Sequence, residues 1–86
     1  MFTQSTNNTA FLRKGIPLSD VGRIGPVKIV KLDGGKQLRN KTAALGILPG
    51  MKVYIRRPNH HGPVLVSVFG ETIMVGQGLA RKIMVV

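Results

Sequence analysis

The acidic side chains of this 86-residue chain are too few and too scattered to suggest catalysis. They are Asp20, Asp33 and Glu71. A pair of carboxylates that shares acid–base work must converge on one substrate, and no two of these share a strand face or a helical spacing. Each stands in a turn-like segment, where aspartate commonly bonds its own backbone. We therefore predict no catalytic residue and no enzymatic activity.

His60 and His61, in the segment PNHHGP, are the only residues that suggest a metal site. Imidazole is the commonest metal ligand in proteins. Adjacent side chains rarely converge on one ion, however, and no carboxylate or thiol stands nearby in sequence. A solvated loop is the favoured interpretation, and a weak, surface-exposed site for a transition metal at these two histidines is a minor hypothesis. No cofactor is predicted.

The charge balance is the unusual feature of the composition. Thirteen Lys and Arg residues face three acidic ones, giving a formal net charge of +10. Such a balance favours an anionic partner, which can be nucleic acid, a lipid surface or an acidic protein. Tyr54 stands between Lys52 and Arg56, a small version of the basic and aromatic pattern of single-strand binders. Nucleic-acid binding is therefore kept as an alternative function, although a half-buried tyrosine on a barrel wall is the favoured explanation of the pattern.

Short apolar segments separated by turn residues predict a mainly β fold. The predicted elements are a strand at 27–32, a helix at 36–45, strands at 51–57, 64–69 and 72–75, a helical turn in GQGLARK and a last strand in IMVV. In the first strand the alternation breaks between Ile29 and Val30, which indicates a β-bulge or two covered faces. About five short strands with close turns predict a small closed or half-open barrel.

Two turn segments define where the chain reverses. In LGILPG, Gly46 is placed to end the helix in a left-handed conformation, and Pro49–Gly50 fits the centre of a type II turn. Leu38, Thr42 and Leu45 form the predicted apolar face of that helix. Gly70–Glu71 is predicted as the two-residue turn of the last hairpin.

Residues 1–15 are predicted to be a flexible polar tail and residues 16–86 a single domain. The first fifteen residues are rich in Thr and Asn and carry no apolar block of the signal-peptide type. The chain also has no apolar run near the roughly 20 residues that span a bilayer. We therefore expect a soluble, intracellular protein.

The order of the segments resembles the ferrous iron transport protein A family of bacteria. The resemblance runs from about residue 16 to residue 86 and is carried by PLSDVG, VKIVKLDGG, LRNKTAALGILPG, MKVYIRR, GPVLVSVFG and ARKIMV. It implies an SH3-like barrel with one helix inserted after the first strand. It also implies a cytosolic accessory protein of Fe(II) uptake, whose partner is a membrane ferrous iron transporter with a GTP-binding domain. The family pattern places a basic residue and a leucine before the last turn of the helix, where this chain has Lys41 and Thr42, so Thr42 departs from the pattern.

The exposed basic residues are the candidates for docking on that transporter. We expect Arg39, Lys41, Arg56 and Arg57 to contact acidic protein surface or anionic lipid at the membrane. The resemblance implies no catalytic residue to assign. A related resemblance, to the C-terminal domain of iron-dependent repressors, concerns the fold alone.

Overall fold

Six antiparallel strands and two short helices form the part of the chain that the computed structural model describes, residues 15–86. In chain order they are β1 (Ile16–Pro17), a 3₁₀ turn (Leu18–Asp20), β2 (Gly25–Leu32), α1 (Lys36–Ala44), β3 (Lys52–Arg57), β4 (Val64–Val68), β5 (Glu71–Val75), α2 (Gln77–Ala80) and β6 (Ile83–Val85). The predicted tail falls, apart from Gly15, outside the described residues. Sequence analysis missed β1 because a two-residue strand has no alternation to detect.

Strand β2 is bent and joins the two halves of the sheet. The strand order is β1-β6-β2-β3-β4-β5. The first half of β2 pairs with β3, and its second half pairs with β6. The register shifts between Ile29 and Lys31, so a bulge lets Val27, Ile29 and Leu32 all face the core. The bulge hypothesis is thereby confirmed.

The sheet curves around one apolar core, and its two edge strands do not pair with each other. Within residues 15–86, β1 and β5 are the edge strands of the sheet order, so the barrel is half-open. The predicted mainly β, SH3-like architecture is confirmed. Its core consists of fully or nearly buried aliphatic side chains: Leu18, Val21, Val27, Ile29, Leu32, Ile47, Val53, Ile55, Val64, Val66, Val68, Val75, Ala80, Ile83 and Val85.

The end of α1 has the predicted glycine-terminated geometry. Gly46 has φ +82°. Its N–H donates to the carbonyl of Ala43 at 2.9 Å, and the N–H of Ile47 donates to the carbonyl of Thr42 at 2.8 Å. These two bonds define a Schellman motif, which directs Ile47 into the core at 1% exposure. Helix termination and core packing are thus set by the same residues.

The chain reverses again immediately after the helix. The N–H of Met51 donates to the carbonyl of Leu48 at 3.1 Å, and Gly50 has φ +91°, as the predicted type II turn requires. The N–H of Gly50 also donates to the carbonyl of Ile29 in β2. The turn is therefore fixed to the sheet, and β3 begins in register with β2.

Two local predictions were wrong. Val68 pairs with Glu71, so the hairpin turn consists of Phe69 and Gly70, one residue earlier than predicted. Both have positive φ, +51° and +82°, which is a type I′ turn. The position of the turn is set by the strand register that keeps the β4 valines in the core. No sequence rule favours Phe in a turn of this type. On α1, Leu45 is 36% exposed and does not join the buried face.

Candidate interaction surfaces

The two histidines lie in an ordered but exposed loop between β3 and β4. The side-chain oxygen of Asn59 accepts hydrogen bonds from the N–H groups of His61 and Gly62, at 2.9 and 3.0 Å. The Nε2 of His60 lies 3.4 Å from where a Cβ on Gly22 would stand. Across residues 15–86 there is no group of three His, Cys, Asp or Glu side chains that could hold a metal ion. A site at these histidines would need further ligands from a partner or from solvent.

Arg56 and Arg57 lie at the end of β3 and both face outward. The pairing of β3 with β4 shifts register between Ile55 and Arg57, which breaks the in–out alternation and exposes two successive arginines. The guanidinium of Arg56 lies over the ring of Tyr54, 5.7 Å from its centroid, in cation–π geometry. The ring of Tyr54 holds Arg56 near the sheet, and the Arg57 side chain is free to extend.

Arg39 and Lys41 are exposed on α1, and Lys41 borders a groove. The groove runs between α1 and α2 and is lined by Gln37, Leu38, Lys41, Gly78, Leu79 and Lys82. Its two leucines pack against the core, so the floor is apolar and the walls carry lysines from two elements. Sequence analysis did not pair Lys41 with Lys82, because 41 residues separate them and only the packing of α2 brings them to one groove.

The four predicted docking residues do not form one continuous cluster. Arg39 and Lys41 belong to the helix, whose last turn leads to the start of β3. Arg56 and Arg57 lie at the opposite end of β3, with Arg56 four residues from Lys52. At about 3.3 Å per residue, that places them roughly 13 Å along the strand. The structure therefore presents two basic regions, the helix region and the distal β3 region.

Two features emerged only from the strand register. Lys28 on β2 lies directly opposite Lys52 on β3, and both are exposed. Phe69, at the β4–β5 turn, is 85% exposed. The spacing of lysines in the sequence does not reveal a cross-strand pair, since that requires the register of two strands 24 residues apart.

Comparison with known proteins identifies relatives over most of the chain. A family model described as the FeoA domain matches residues 16–86. A protein of Methanocaldococcus jannaschii named "Putative Fe(2+) transport protein A" is 41% identical over 59 residues, which cover 69% of this chain and 71% of that protein.

Solved structures show the same architecture. A crystal structure of an iron uptake regulatory protein (FeoA) matches with a TM-score of 0.72 and 32% identity, over 83% of this chain and 93% of that one. A FeoA-like protein from Clostridium acetobutylicum matches with a TM-score of 0.72 and 25% identity, over 85% and 86%. ScaR with bound Cd²⁺ matches at 0.77 with 16% identity over 35% of its own length, a likeness of fold alone. Across residues 15–86, no helix combines the length and apolar character needed to cross a membrane.

Proposed function

This chain belongs to the FeoA family, and from that premise we propose that it is a non-enzymatic accessory protein of ferrous iron transport. It acts in the cytoplasm by binding a membrane Fe(II) transporter that carries a GTP-binding domain. The observation that carries the proposal is the family match, which spans residues 16–86 without interruption. The coarser statement, a role in Fe(II) transport, is supported by the names of two relatives, one a putative Fe(2+) transport protein A and the other an iron uptake regulatory protein (FeoA).

The distribution of side chains supports a binding role. Asp20, Asp33 and Glu71 are all exposed and lie on separate elements, as expected of a protein that offers a surface and no reaction centre. Buried polar residues are few among residues 15–86: Ser19 and Thr42. A surface rich in cations with an apolar interior suits recognition of an acidic partner.

Arg39, Lys41, Arg56 and Arg57 are the proposed docking residues. All four are exposed, so they can reach a partner without rearranging the barrel. Because they occupy two regions, we expect their contributions to be separable. Rim charges of this kind change the association rate and its salt dependence more than they change the fold.

The first experiment is a pull-down from membranes of the native organism with the tagged full chain, at low and moderate salt and with nuclease. Recovery of the ferrous iron transporter is expected to survive nuclease. The double variants Arg39→Glu/Lys41→Glu and Arg56→Glu/Arg57→Glu should each reduce recovery several-fold, since charge reversal introduces repulsion against an acidic surface.

A charge-matched control separates local docking from the general effect of net charge. Lys31→Glu/Lys36→Glu changes the charge by the same amount at exposed positions outside the proposed set. It should retain recovery close to the parent level. If all three double variants behave alike, the named residues have no special role. If the parent recovers no transporter, the proposed function is wrong.

A further inference from the structure

Phe69 is the least expected residue of the described chain. It occupies the first central position of the type I′ turn with φ +51°, where Asn, Asp and Gly are favoured. Its ring is 85% exposed, so packing gains little from it. A positive φ is disfavoured for a bulky side chain. Residues that break local rules in this way concentrate at functional sites.

Two leucines extend the exposed apolar surface around Phe69. A Cβ on Gly46 would lie 3.8 Å from Cε2 of the Phe69 ring, so the ring faces the exit of α1. Leu45 and Leu48, on either side of that exit, are 36% and 47% exposed. We call Leu45, Leu48 and Phe69 the apolar tip.

Three lysines lie around this end of the molecule. Tyr54 pairs with Ser67, and continuing this register by two residues on each strand brings Lys52 to the level of Phe69, just beyond the end of β4. Lys28 lies opposite Lys52 on the next strand. Lys41 precedes Leu45 by four residues on α1, which places both on one helix face. We call Lys28, Lys41 and Lys52 the lysine collar.

The collar indicates an anionic partner. Like charges directly opposite on neighbouring strands destabilise a sheet, and the Lys28–Lys52 pair has this arrangement. A bound anion would relieve that repulsion. Glu71, just after the turn, is the one acidic side chain set against the three lysines, and Val86, the last residue of the described chain, lines a hollow with Lys28 and Lys52. The side chains of this region therefore have a net positive charge.

We propose that the apolar tip and the lysine collar dock on an anionic lipid surface. The Phe69 ring and the two leucines enter the interfacial zone, while the lysines contact lipid phosphates. A bilayer interface accepts a protruding apolar tip without a complementary pocket. A second copy of the chain is disfavoured as the partner because each chain has a formal charge of +10. The lysine collars of the two copies would also face and repel each other. The inference does not depend on the transporter.

The test uses the purified full chain and vesicles without any other protein. Co-sedimentation is measured with vesicles of phosphatidylcholine alone and of phosphatidylcholine mixed with phosphatidylglycerol. Binding is expected only with phosphatidylglycerol present, and it should weaken as salt rises. Equal binding to both vesicle types overturns the proposal, as does no binding to either.

Phe69→Asn is the decisive variant because Asn tolerates the left-handed backbone of this turn. The variant should fold at least as stably as the parent and partition into the mixed vesicles about tenfold more weakly, through loss of the buried ring. Met74→Asn removes another exposed apolar side chain, 66% exposed on β5 outside the tip, and should leave binding unchanged. Equal partitioning of parent and Phe69→Asn contradicts the proposal.

The collar has its own matched pair of variants. Lys28→Gln/Lys52→Gln should weaken vesicle binding about fivefold for each lysine. Arg56→Gln/Arg57→Gln removes the same charge from the distal β3 region and should have a smaller effect. If both double variants weaken binding equally, general charge attracts the vesicles and the collar assignment is wrong.

A fluorescent substitution reports insertion directly. The chain contains no Trp, so Phe69→Trp introduces a single tryptophan at the tip, which can be excited selectively above the absorption of Tyr54. Its emission should shift to the blue with mixed vesicles and not with phosphatidylcholine alone. If Phe69→Asn abolishes transporter recovery from membranes yet keeps vesicle binding, the tip contacts protein and the lipid proposal falls.

Discussion

Single side chains decide how the helix is held to the barrel. Thr42 is fully buried on α1. The family resemblance predicts a leucine at this position, and we expected a threonine there to hold the helix to the barrel more weakly. Its hydroxyl donates to the carbonyls of Leu38 and Arg39, both at 3.1 Å. The polar atom is therefore satisfied within the helix, and the side chain is small enough to sit against the core. The contact rests on a methyl group and not on a long aliphatic chain.

Two substitutions separate the methyl group from the hydroxyl of Thr42. Thr42→Val keeps the shape and should change the free energy of unfolding by less than about 1 kcal/mol, because both carbonyls accept helical N–H groups as well. Thr42→Ala removes the methyl group too and should cost about 1–2 kcal/mol. Chemical denaturation measures both. Equal losses for Val and Ala would show that the hydroxyl, which both variants lack, is the main contact.

Arg56 and Tyr54 show how one residue on a strand constrains another. The arginine lies over the ring at 5.7 Å, an exposed arrangement that stabilises by about 0.5–1 kcal/mol. Tyr54 is 42% exposed, so half of the ring is committed to the sheet. The outward face predicted for Tyr54 is confirmed.

The exit of α1 is the element whose geometry was best predicted from the sequence. Gly followed by an apolar residue and Pro-Gly specifies a left-handed cap, a fold-back contact and a turn, since each residue type satisfies one backbone requirement. The hairpin β4–β5 was less well predicted. Its turn depends on cross-strand pairing, which overrides the preference of Phe69 for extended backbone.

The glycine cap can be tested with one substitution type at two positions. Gly46→Ala should destabilise the chain by about 1–2 kcal/mol, because φ is +82° while the added Cβ meets Val68 only at 3.4 Å. Gly78→Ala, within α2 and with nothing within 4 Å, should stabilise it by about 0.5–1 kcal/mol.

Thermal or chemical unfolding measures both changes, and their opposite signs form the control. If both substitutions change the free energy of unfolding in the same direction, backbone conformation does not control the exit of α1. The distances from the added Cβ to its neighbours also predict that Gly46→Ala costs little through packing. The loss in the free energy of unfolding should therefore not depend on which residue stands at position 69.

At the level of the whole molecule, the net charge is compatible with both candidate functions, ferrous iron transport and nucleic-acid binding, and aromatic stacking distinguishes them. Net charge alone attracts any polyanion, whereas single-strand recognition needs stacked aromatic side chains as well. Among the described residues the exposed aromatic rings are Tyr54 and Phe69, and Tyr54 pairs with Ser67, two residues before Phe69. Two rings are fewer than the series of aromatic side chains on which successive bases stack, and Arg56 already lies over the ring of Tyr54.

Binding to a single-stranded oligonucleotide, followed by fluorescence anisotropy, tests the alternative. Under the transport proposal we expect dissociation constants above about 10⁻⁶ M at physiological salt, with an affinity that falls steeply as salt rises. Tyr54→Ala should leave them unchanged. Tighter binding that is lost in Tyr54→Ala would instead support a nucleic-acid-binding barrel.

Much of the fold could be read from residue types and their order. Alternating valines and isoleucines predicted the strands, the broken alternation at Ile29–Val30 predicted the bulge, and LGILPG predicted the helix exit. These features are local, because each depends on residues a few positions apart. The family resemblance followed from the same order of segments and was confirmed.

What the tertiary structure decided is which distant residues become neighbours. The register of β2 against β3 placed Lys28 opposite Lys52, and the register of β4 against β5 moved the hairpin turn onto Phe69. The packing of α2 brought Lys82 to Lys41. Strand pairing and helix packing join residues far apart in the chain, so no local pattern encodes them. The side chains that these contacts bring together form the surfaces through which we expect this small barrel to act.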